Sequence, residues 1–144
     1  MDIKFFLLLA VAITLVVLYF VFQPKAVNKK VTIGSVQIDA EVADTLPKQI
    51  KGLMFRKSLP EKSGMLFVFG KEDYYSIWMM NMSFPIDIIW IDSNHKIVEI
   101  VKDAPPCGII CKSYQPKVKA RFVLEVNSGF TDRYSVKIGD TVNF

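Results

Sequence analysis

A few charged, amide and aromatic side chains lie in apolar stretches of this 144-residue sequence, and their types could support binding or acid–base chemistry. Asp87 lies in the apolar run IDIIWI, where a carboxylate is costly unless it is paired or hydrogen-bonded. Asp87 and Glu125 could form an acid–base pair, and Arg56 could bind either carboxylate through two hydrogen bonds. The candidate ligand-binding residues are Arg56, Trp78, Asn81, Asp87, Arg121 and Glu125.

The same side chains also have a structural interpretation, which we favour over catalysis. No nucleophile or set of metal ligands accompanies Asp87 and Glu125 in the sequence, so no catalytic residue is assigned. Arg121 and Glu125 are four residues apart on one face of a predicted strand and need not touch. We expect an ion pair that stabilises the fold, an Asn81 side chain hydrogen-bonded to the backbone, and a Trp78 that the fold requires.

Cys107 and Cys111 are the only cysteines, and they lie in the proline-rich segment PPCGIICKSY. A close pair in a loop with few packing residues favours a disulfide in an oxidising compartment. A redox motif would have two intervening residues rather than three, and a zinc site would need more than the single histidine, His95. Met79 and Met80 would point to opposite faces of a strand, so core packing is favoured over a copper site. We predict no metal and no cofactor.

The chain begins with a strongly apolar segment. Residues 5–22 (FFLLLAVAITLVVLYFVF) carry no charge, and about 20 apolar residues can span a bilayer as a helix. The segment ends in YFVFQP, without the small residues that precede a signal-peptide cleavage site. We therefore predict an uncleaved transmembrane anchor at residues 1–23, which contacts the lipid bilayer through residues 3–22. A linker at residues 24–30 and one soluble domain at residues 31–144 would follow.

Charge and cysteine content give opposite indications of membrane orientation. Lys25, Lys29 and Lys30 follow the apolar segment, and an excess of positive charge usually faces the cytoplasm. A disulfide between Cys107 and Cys111 instead requires an oxidising compartment. Because the charge rule is a bias and folded domains are translocated despite it, we expect a single-pass cell-membrane protein with an extracytoplasmic domain.

The positive charge is concentrated beside the apolar segment. The net charge of the chain is +4, with 18 basic and 14 acidic residues. Setting aside the four lysines and one aspartate of residues 1–30 leaves 14 basic and 13 acidic residues, so the remaining domain is almost neutral. Nucleic-acid binding requires a basic surface, and we therefore expect no nucleic-acid partner.

The domain that must position the candidate residues alternates between short apolar runs and turns. Residues 31–42 (VTIGSVQIDAEV) are typical of a β-hairpin, with Val36, Ile38, Ala40 and Val42 in the core. A helix should follow Asp44 or Thr45, with an apolar face at Leu46, Ile50, Leu53 and Met54. Together, one main helix and about seven short strands predict a compact α+β fold with a curled antiparallel sheet or partial β-barrel.

An ordered set of short motifs in the domain resembles a known family. The motifs are GLMFR at 52–56, GMLFVF at 64–69, the W-M-x-N-x-x-x-P-x-D pattern at 78–87, VLEV at 123–126 and GD at 139–140. In this order they resemble the uncharacterised domain-of-unknown-function 192 (UPF 0127) family. The resemblance implies a compact, mainly β domain with one helix, often secreted or membrane-tethered, and it implies no established reaction.

These observations predict a ligand- or partner-binding accessory module, whose partner is an unknown small molecule or protein. A small hydrolase-like enzyme that uses Asp87 and Glu125 is an alternative, and a structural subunit of a membrane complex is another. A polar pocket bordered by Trp78, Asn81 and Asp87 would favour binding, whereas two carboxylates that face each other across a cleft would favour an enzyme. A broad apolar surface patch would favour the structural subunit.

Overall fold

The computed structural model describes residues 3–21, 27–108 and 110–144, and in the first of these ranges the side chains of residues 4–18. Helix α1 spans Ile3–Val21, and its described side chains are exposed. A helix that crosses a bilayer needs about 20 predominantly apolar residues. No helix within the described residues has the length and hydrophobicity for such a crossing.

This finding corrects several predictions from the sequence. It contradicts the transmembrane anchor at residues 1–23 and the bilayer contact through residues 3–22. The predicted single-pass membrane location and the extracytoplasmic orientation rested on that anchor and are contradicted with it. Residues 24–26 of the predicted linker lie outside the described residues, whereas Asn28 already begins the first strand.

Beyond α1, the described chain forms nine strands and two short helices. The strands are β1 (Asn28–Ile33), β2 (Val36–Ala43), β3 (Ser63–Asp73), β4 (Ile77–Trp78), β5 (Ile86–Ile91), β6 (Ile97–Ala104), β7 (Ser113–Tyr114), β8 (Ala120–Asn127) and β9 (Val142–Asn143); the helices are α2 (Leu46–Lys51) and α3 (Phe130–Arg133).

The main sheet has seven strands in the order β6-β5-β8-β3-β2-β1-β9, and it is mixed rather than antiparallel as predicted. β1 and β2 form the predicted hairpin, in which Gly34 adopts the left-handed conformation that a tight turn requires. β2 and β3, in contrast, pair in parallel. The connection between them, residues 44–62, contains α2 and returns the chain to the end of the sheet where β2 began, as a parallel pair requires.

The sheet curls so far that its two edge regions meet at one end, which makes it a half-barrel. An isolated antiparallel bridge joins Lys96 to Thr141, and the Val142 N–H donates to the His95 carbonyl at 2.9 Å. Residues that alternate along the strands fill the interior, among them Ile38, Leu66 and Leu124. The predicted partial barrel is therefore confirmed in its curvature, although not in its strand directions.

The outer face of the sheet is also buried, because loops and short elements cover it. Its cluster includes Met65, Phe67, Ile88, Trp90 and Val123. The two-stranded sheet of β4 and β7 contributes to this cover. Apolar residues on both faces of the central strands are the sequence signature of a sheet that is covered on both sides.

The predicted helix after Thr45 is present but shorter and less buried than its apolar pattern suggested. Thr45 occupies the position before α2, and its side chain makes no capping hydrogen bond. α2 ends at Lys51, and both Leu46 and Ile50 are exposed. Leu53, which follows the helix, is buried on the outer face of the sheet.

Candidate functional site

A small cavity lies on the outer face of the sheet, between the segment that contains α2 and the segment that contains β4. Its volume is about 60 Å³. This is far below the roughly 300–1,000 Å³ of sites that enclose a drug-sized ligand, but above the roughly 10–15 Å³ that a cavity needs to hold one water. We call it the Glu125 pocket. It is lined by Gln49, Ile50, Lys51, Gly52, Leu53, Met54, Phe67, Ser76, Ile77, Trp78, Met82 and Glu125.

α2 is held over the pocket by polar contacts and by a glycine. The Gln49 side-chain amide donates hydrogen bonds to the carbonyls of Val68 at 2.9 Å and Ala43 at 3.3 Å. Gly52 ends the helix with φ of 48°, in the left-handed region that favours glycine. A Cβ atom at this position would lie 3.4 Å from the Phe67 ring, so Gly52 also allows the chain to pass close to the pocket wall. Phe67 was not among the candidate residues that the sequence indicated.

Glu125 is the ionisable group buried most deeply among the residues that line this pocket. Only 5% of the residue is exposed. Its carboxyl group has no hydrogen-bond partner within the described chain, and its oxygens are accessible, because no fully buried side-chain oxygen of the described chain lacks a partner. Burial raises the pKa of Glu125 from 4.5 to about 8, although the positive charge of Arg56 opposes this shift. The carboxyl group is therefore mainly protonated and uncharged at neutral pH.

Strand register places a second carboxylate on the same face of the sheet. Glu41 of β2 is the register partner of Met65 of β3, and Met65 is in turn the partner of Glu125 of β8. Directly paired residues point to the same face, so Glu41 and Glu125 flank Met65 and are separated by two strand spacings, about 10 Å. We call this arrangement the Glu41–Met65–Glu125 row.

Arg56 pairs with Glu41 in this row. Its Nη1 and Nη2 atoms donate to the two Glu41 carboxylate oxygens at 2.5 and 2.7 Å. The hydrogen bond from Arg56 lowers the pKa of Glu41, and the pKa of Arg56 is raised in return. The sequence suggested Asp87 or Glu125 as the partner of Arg56, and the structure assigns the bidentate contact to neither. Glu41 was not among the candidates, because a glutamate in an alternating hairpin strand normally faces solvent.

Trp78 and Asn81 lie at the border of the pocket. Trp78 lines it and is 46% exposed, so its ring is not buried in the core, although we expected the fold to require this residue. Asn81 adopts a left-handed conformation with φ of 58°, which asparagine tolerates better than most residues. Its carbonyl accepts the Phe55 N–H at 2.9 Å, and its side-chain amide contacts the Met54 sulfur at 3.8 Å. Asn81 thereby joins the loop after β4 to the loop after α2.

Asp87 lies on the opposite, interior face of the sheet and is completely buried. Its Oδ1 accepts the backbone N–H groups of Asp103 at 3.0 Å and Gly129 at 3.2 Å. Its Oδ2 accepts the Thr131 N–H at 2.9 Å and the Thr131 hydroxyl at 2.7 Å. The burial cost of this carboxylate is offset by hydrogen bonds that tie β5 to the end of β6 and to α3, in place of the ion pair that was expected.

Arg121 is remote from these contacts. It is exposed, and its Nε donates to the Phe69 carbonyl at 3.4 Å. Of the sequence candidates, the structure therefore places Trp78 and Glu125 in one pocket, with Arg56 and Asn81 beside it, and it places Asp87 and Arg121 elsewhere. The side chains of Gln49, Met54 and Met82 also line the pocket, and no sequence signal distinguished them from ordinary packing residues.

The predicted disulfide between Cys107 and Cys111 is confirmed, with the two Cα atoms 5.4 Å apart. Cys107 pairs with Met80 in an isolated bridge, and its N–H donates to the Met79 carbonyl at 3.2 Å. On the other side of the disulfide, Ser113 pairs with Trp78. The cross-linked loop is thus attached at both ends to the segment that carries the pocket border.

Within the described residues, no three His, Cys, Asp or Glu side chains lie close enough together to hold a metal ion. The pocket chemistry is instead that of a single carboxyl group among apolar residues and the polar residues Gln49, Lys51 and Ser76. The fold and this site together define a small α+β domain, built on a mixed half-barrel sheet, with a one-carboxyl pocket on its outer face.

The chain belongs to the DUF192 family, described as "Uncharacterized ACR, COG1430", whose model matches residues 29–144. It is similar to the UPF0127 proteins of Thermococcus gammatolerans, with 34% identity, and Thermococcus sibiricus, with 30% identity, over 106 residues in each case. These matches cover 72% of this chain but only 65% and 64% of those two relatives. The UPF0127 protein of Pyrococcus furiosus is 29% identical over 111 residues, which cover 89% of its length.

Two solved structures have the same fold. A protein of unknown function from Novosphingobium aromaticivorans superimposes with a TM-score of 0.76 at 30% identity, covering 81% of this chain and 85% of that one. A protein described as a putative transcription regulator from Sinorhizobium meliloti gives a TM-score of 0.77 at 26% identity, covering 84% and 96%. The family resemblance inferred from the motifs is therefore confirmed, and it is a family of unknown function.

Proposed function

We propose that this domain is a binding module that takes a small group of another molecule into the Glu125 pocket. The observation that carries this proposal is a glutamate residue that is 95% buried, lines a cavity and has carboxyl oxygens that are accessible but have no hydrogen-bond partner within the described chain. A ligand that enters the cavity replaces water at these oxygens and supplies their hydrogen bonds. The pocket walls provide apolar contact for the same ligand.

The size of the pocket limits the size of the group that can bind in it. A volume of about 60 Å³ accommodates the end of a molecule rather than a complete ligand of ordinary size. Ile50 and Trp78 both line the pocket and are both exposed, at 54% and 46%. They offer apolar surface to the part of the ligand that remains outside.

Strand register favours binding over hydrolysis by Asp87 and Glu125. β5 and β8 pair so that Asp87 is opposite Val126, whereas Glu125 is opposite Ile88. Side chains of adjacent residues point to opposite faces, so the two carboxyl groups are separated by the sheet itself. Both oxygens of Asp87 are also occupied by hydrogen bonds from the protein. Glu125 therefore supplies its carboxyl group without Asp87, the partner that the suggested acid–base pair would need.

The two tryptophans provide a direct test by NMR. Propionamide, propionate and propylammonium are titrated separately into the ¹⁵N-labelled full chain. At least one probe should shift the indole N–H signal of Trp78. The Trp90 indole N–H is an internal control, because it is buried and donates to the Tyr75 carbonyl at 2.9 Å. A site in the pocket predicts a saturable shift of Trp78 and a much smaller shift of Trp90.

A matched pair of variants completes this experiment. Glu125→Met keeps a side chain of similar length but removes the carboxyl group, and it should abolish the Trp78 shift. Glu61→Met makes the same change at an exposed glutamate that does not line the pocket, and it should bind as the wild type does. The proposed binding function is wrong if no probe shifts the Trp78 signal. It is also wrong if the Trp78 signal shifts as much in Glu125→Met as in the wild type.

A further inference from the structure

We infer that the Glu125 pocket selects an uncharged amide group, which pairs with the Glu125 carboxyl group through two hydrogen bonds. This inference rests on the proposed binding function and adds the chemical class of the ligand. In the pair, the carboxyl O–H donates to the amide C=O, and the amide N–H donates to the carboxyl C=O. One group in the pocket then satisfies both the donor and the acceptor of Glu125.

The charges around Glu125 argue against a cationic ligand. From α2, Lys51 lines the pocket, and from the following loop the positive charge of Arg56 acts on Glu125. In the neighbouring strand, the carboxylate of Glu41 is already bound to both terminal nitrogens of Arg56. From the β4 side, the lining residues Ser76, Ile77, Trp78 and Met82 carry no ionisable group. A cation would therefore approach two positive charges and meet one carboxyl group that must first lose its proton.

An anionic ligand is disfavoured for a different reason. Arg56 is the natural partner for a carboxylate, but Glu41 already engages its two terminal nitrogens. An anion also offers only acceptors, so it would accept the Glu125 O–H but leave the carboxyl C=O of Glu125 without a donor. A neutral group that both donates and accepts has neither problem.

The protonation of Glu125 supports the same assignment. Burial holds its pKa at about 8, so the carboxyl group carries the proton it must donate over the neutral range. The fraction of molecules in which Glu125 is protonated falls to about one tenth at pH 9. The apparent affinity for an amide should fall by the same factor. A cation that requires the ionised carboxylate would show the opposite trend.

The test uses the same three probes at pH 6 and pH 9. Binding is measured through the Trp78 indole signal. Propionamide should bind, with an apparent Kd about tenfold larger at pH 9 than at pH 6. Propionate and propylammonium should bind at least tenfold more weakly than propionamide at pH 6. If propylammonium binds best of the three probes, and binds more tightly at pH 9 than at pH 6, the amide assignment is wrong. The proposed binding function would remain intact. No saturable shift from any probe would overturn both.

The Glu125→Gln variant separates hydrogen bonding from charge. A glutamine side chain also offers one donor and one acceptor, so it should still bind propionamide, within about threefold of wild type at pH 6, and should lose the pH dependence. Glu61→Gln, with the same change outside the pocket, should keep both the affinity and the pH dependence of wild type. Loss of propionamide binding in Glu125→Gln, with a wild-type melting temperature, would contradict the paired hydrogen bonds.

The amide group could come from a free small molecule or from a protein side chain, and a fourth probe distinguishes these sources. A capped Gly-Gln-Gly peptide presents the same primary amide on a backbone that can contact Ile50 and Trp78. Tighter binding of the peptide than of propionamide indicates a protein side chain, and weaker binding indicates a small molecule. A peptide in which glutamate replaces the glutamine should bind at least tenfold more weakly; equal binding of the two peptides would contradict selection of an amide.

Discussion

Asp87 and Glu125 lie on adjacent, hydrogen-bonded strands but project from opposite faces of the sheet. In the strand register, Asp87 is opposite Val126 and Glu125 is opposite Ile88. The two carboxyl groups are therefore offset by one residue and lie on opposite faces. Asp87 accepts hydrogen bonds from three residues of the protein, whereas Glu125 has no partner in the described chain. The first carboxylate holds loops together, and the second is available to a ligand.

Asp87→Asn should destabilise the protein, although it preserves the size of the side chain. The amide nitrogen of asparagine would face either the two backbone N–H groups at Oδ1 or the two Thr131 donors at Oδ2. We expect a loss of about 3 kcal/mol in the free energy of unfolding, measured by urea denaturation. Asp132→Asn, at an exposed aspartate, should change stability by less than about 1 kcal/mol. An Asp87→Asn protein as stable as wild type would contradict the anchoring role.

Glu125 should make the protein less stable as the pH rises. Its pKa is about 8 in the folded protein and 4.5 as a free side chain, so the folded state binds the proton more tightly. The stabilisation that the protonated Glu125 side chain contributes is complete below pH 4.5 and is lost progressively as the pH rises to about 8. Relative to Glu125→Gln, the wild type should lose on the order of a few kcal/mol between pH 5 and pH 9 in urea denaturation. A stability difference that does not change with pH would show that the carboxyl group is not protonated in the folded state.

Glu41→Gln should lower the pKa of Glu125. Without the Glu41 carboxylate, Arg56 loses its charged partner and its positive charge acts more strongly on Glu125. The measurement is the pH titration of the Glu125 side-chain carboxyl carbon by ¹³C NMR. Asp39→Asn, which breaks an exposed ion pair with Lys30 in the same hairpin, should leave that titration unchanged. A Glu125 titration that is identical in Glu41→Gln and wild type would rule out this coupling.

The two tryptophans should differ widely in their importance for stability. Trp90 is completely buried, so Trp90→Ala should cost about 3–5 kcal/mol. Trp78 is 46% exposed, and Trp78→Ala should cost less than about 2 kcal/mol while weakening binding to the pocket. Guanidinium denaturation of the two variants tests this order. A larger loss for Trp78→Ala would mean that Trp78 is essential to the fold, as the sequence first suggested.

The disulfide should make a modest contribution to stability, because its ring is short. Replacing both Cys107 and Cys111 by serine should lower the free energy of unfolding by on the order of 2 kcal/mol. The loop also supports the Trp78 segment, through Cys107 at one end and Ser113 at the other. The Trp78 indole signal should therefore broaden or shift in the double serine variant. Unchanged stability together with an unchanged Trp78 signal would contradict this supporting role.

Local patterns in the sequence were sufficient for much of the fold. The hairpin at residues 31–42 follows from alternating apolar residues around a glycine turn, and both are properties of neighbouring residues. The disulfide follows from two cysteines close together in a proline-rich loop. The ordered motifs also identified the family correctly. The predicted transmembrane anchor was wrong for the described residues, and it rested on a local apolar run and the absence of a cleavage signature.

Only the tertiary structure decided which polar residues form the site. The sequence identified Arg56, Asp87 and Glu125 as candidates, but strand order and register determine that Arg56 pairs with Glu41 and that Asp87 faces the interior. The parallel pairing of β2 and β3, which brings Glu41 to Glu125 across Met65, was likewise absent from the antiparallel prediction. Register depends on contacts between residues distant in the chain, and a shift of one residue moves every side chain to the other face. Residue types therefore indicated which groups could do chemistry, whereas packing of the whole sheet determined which of them meet.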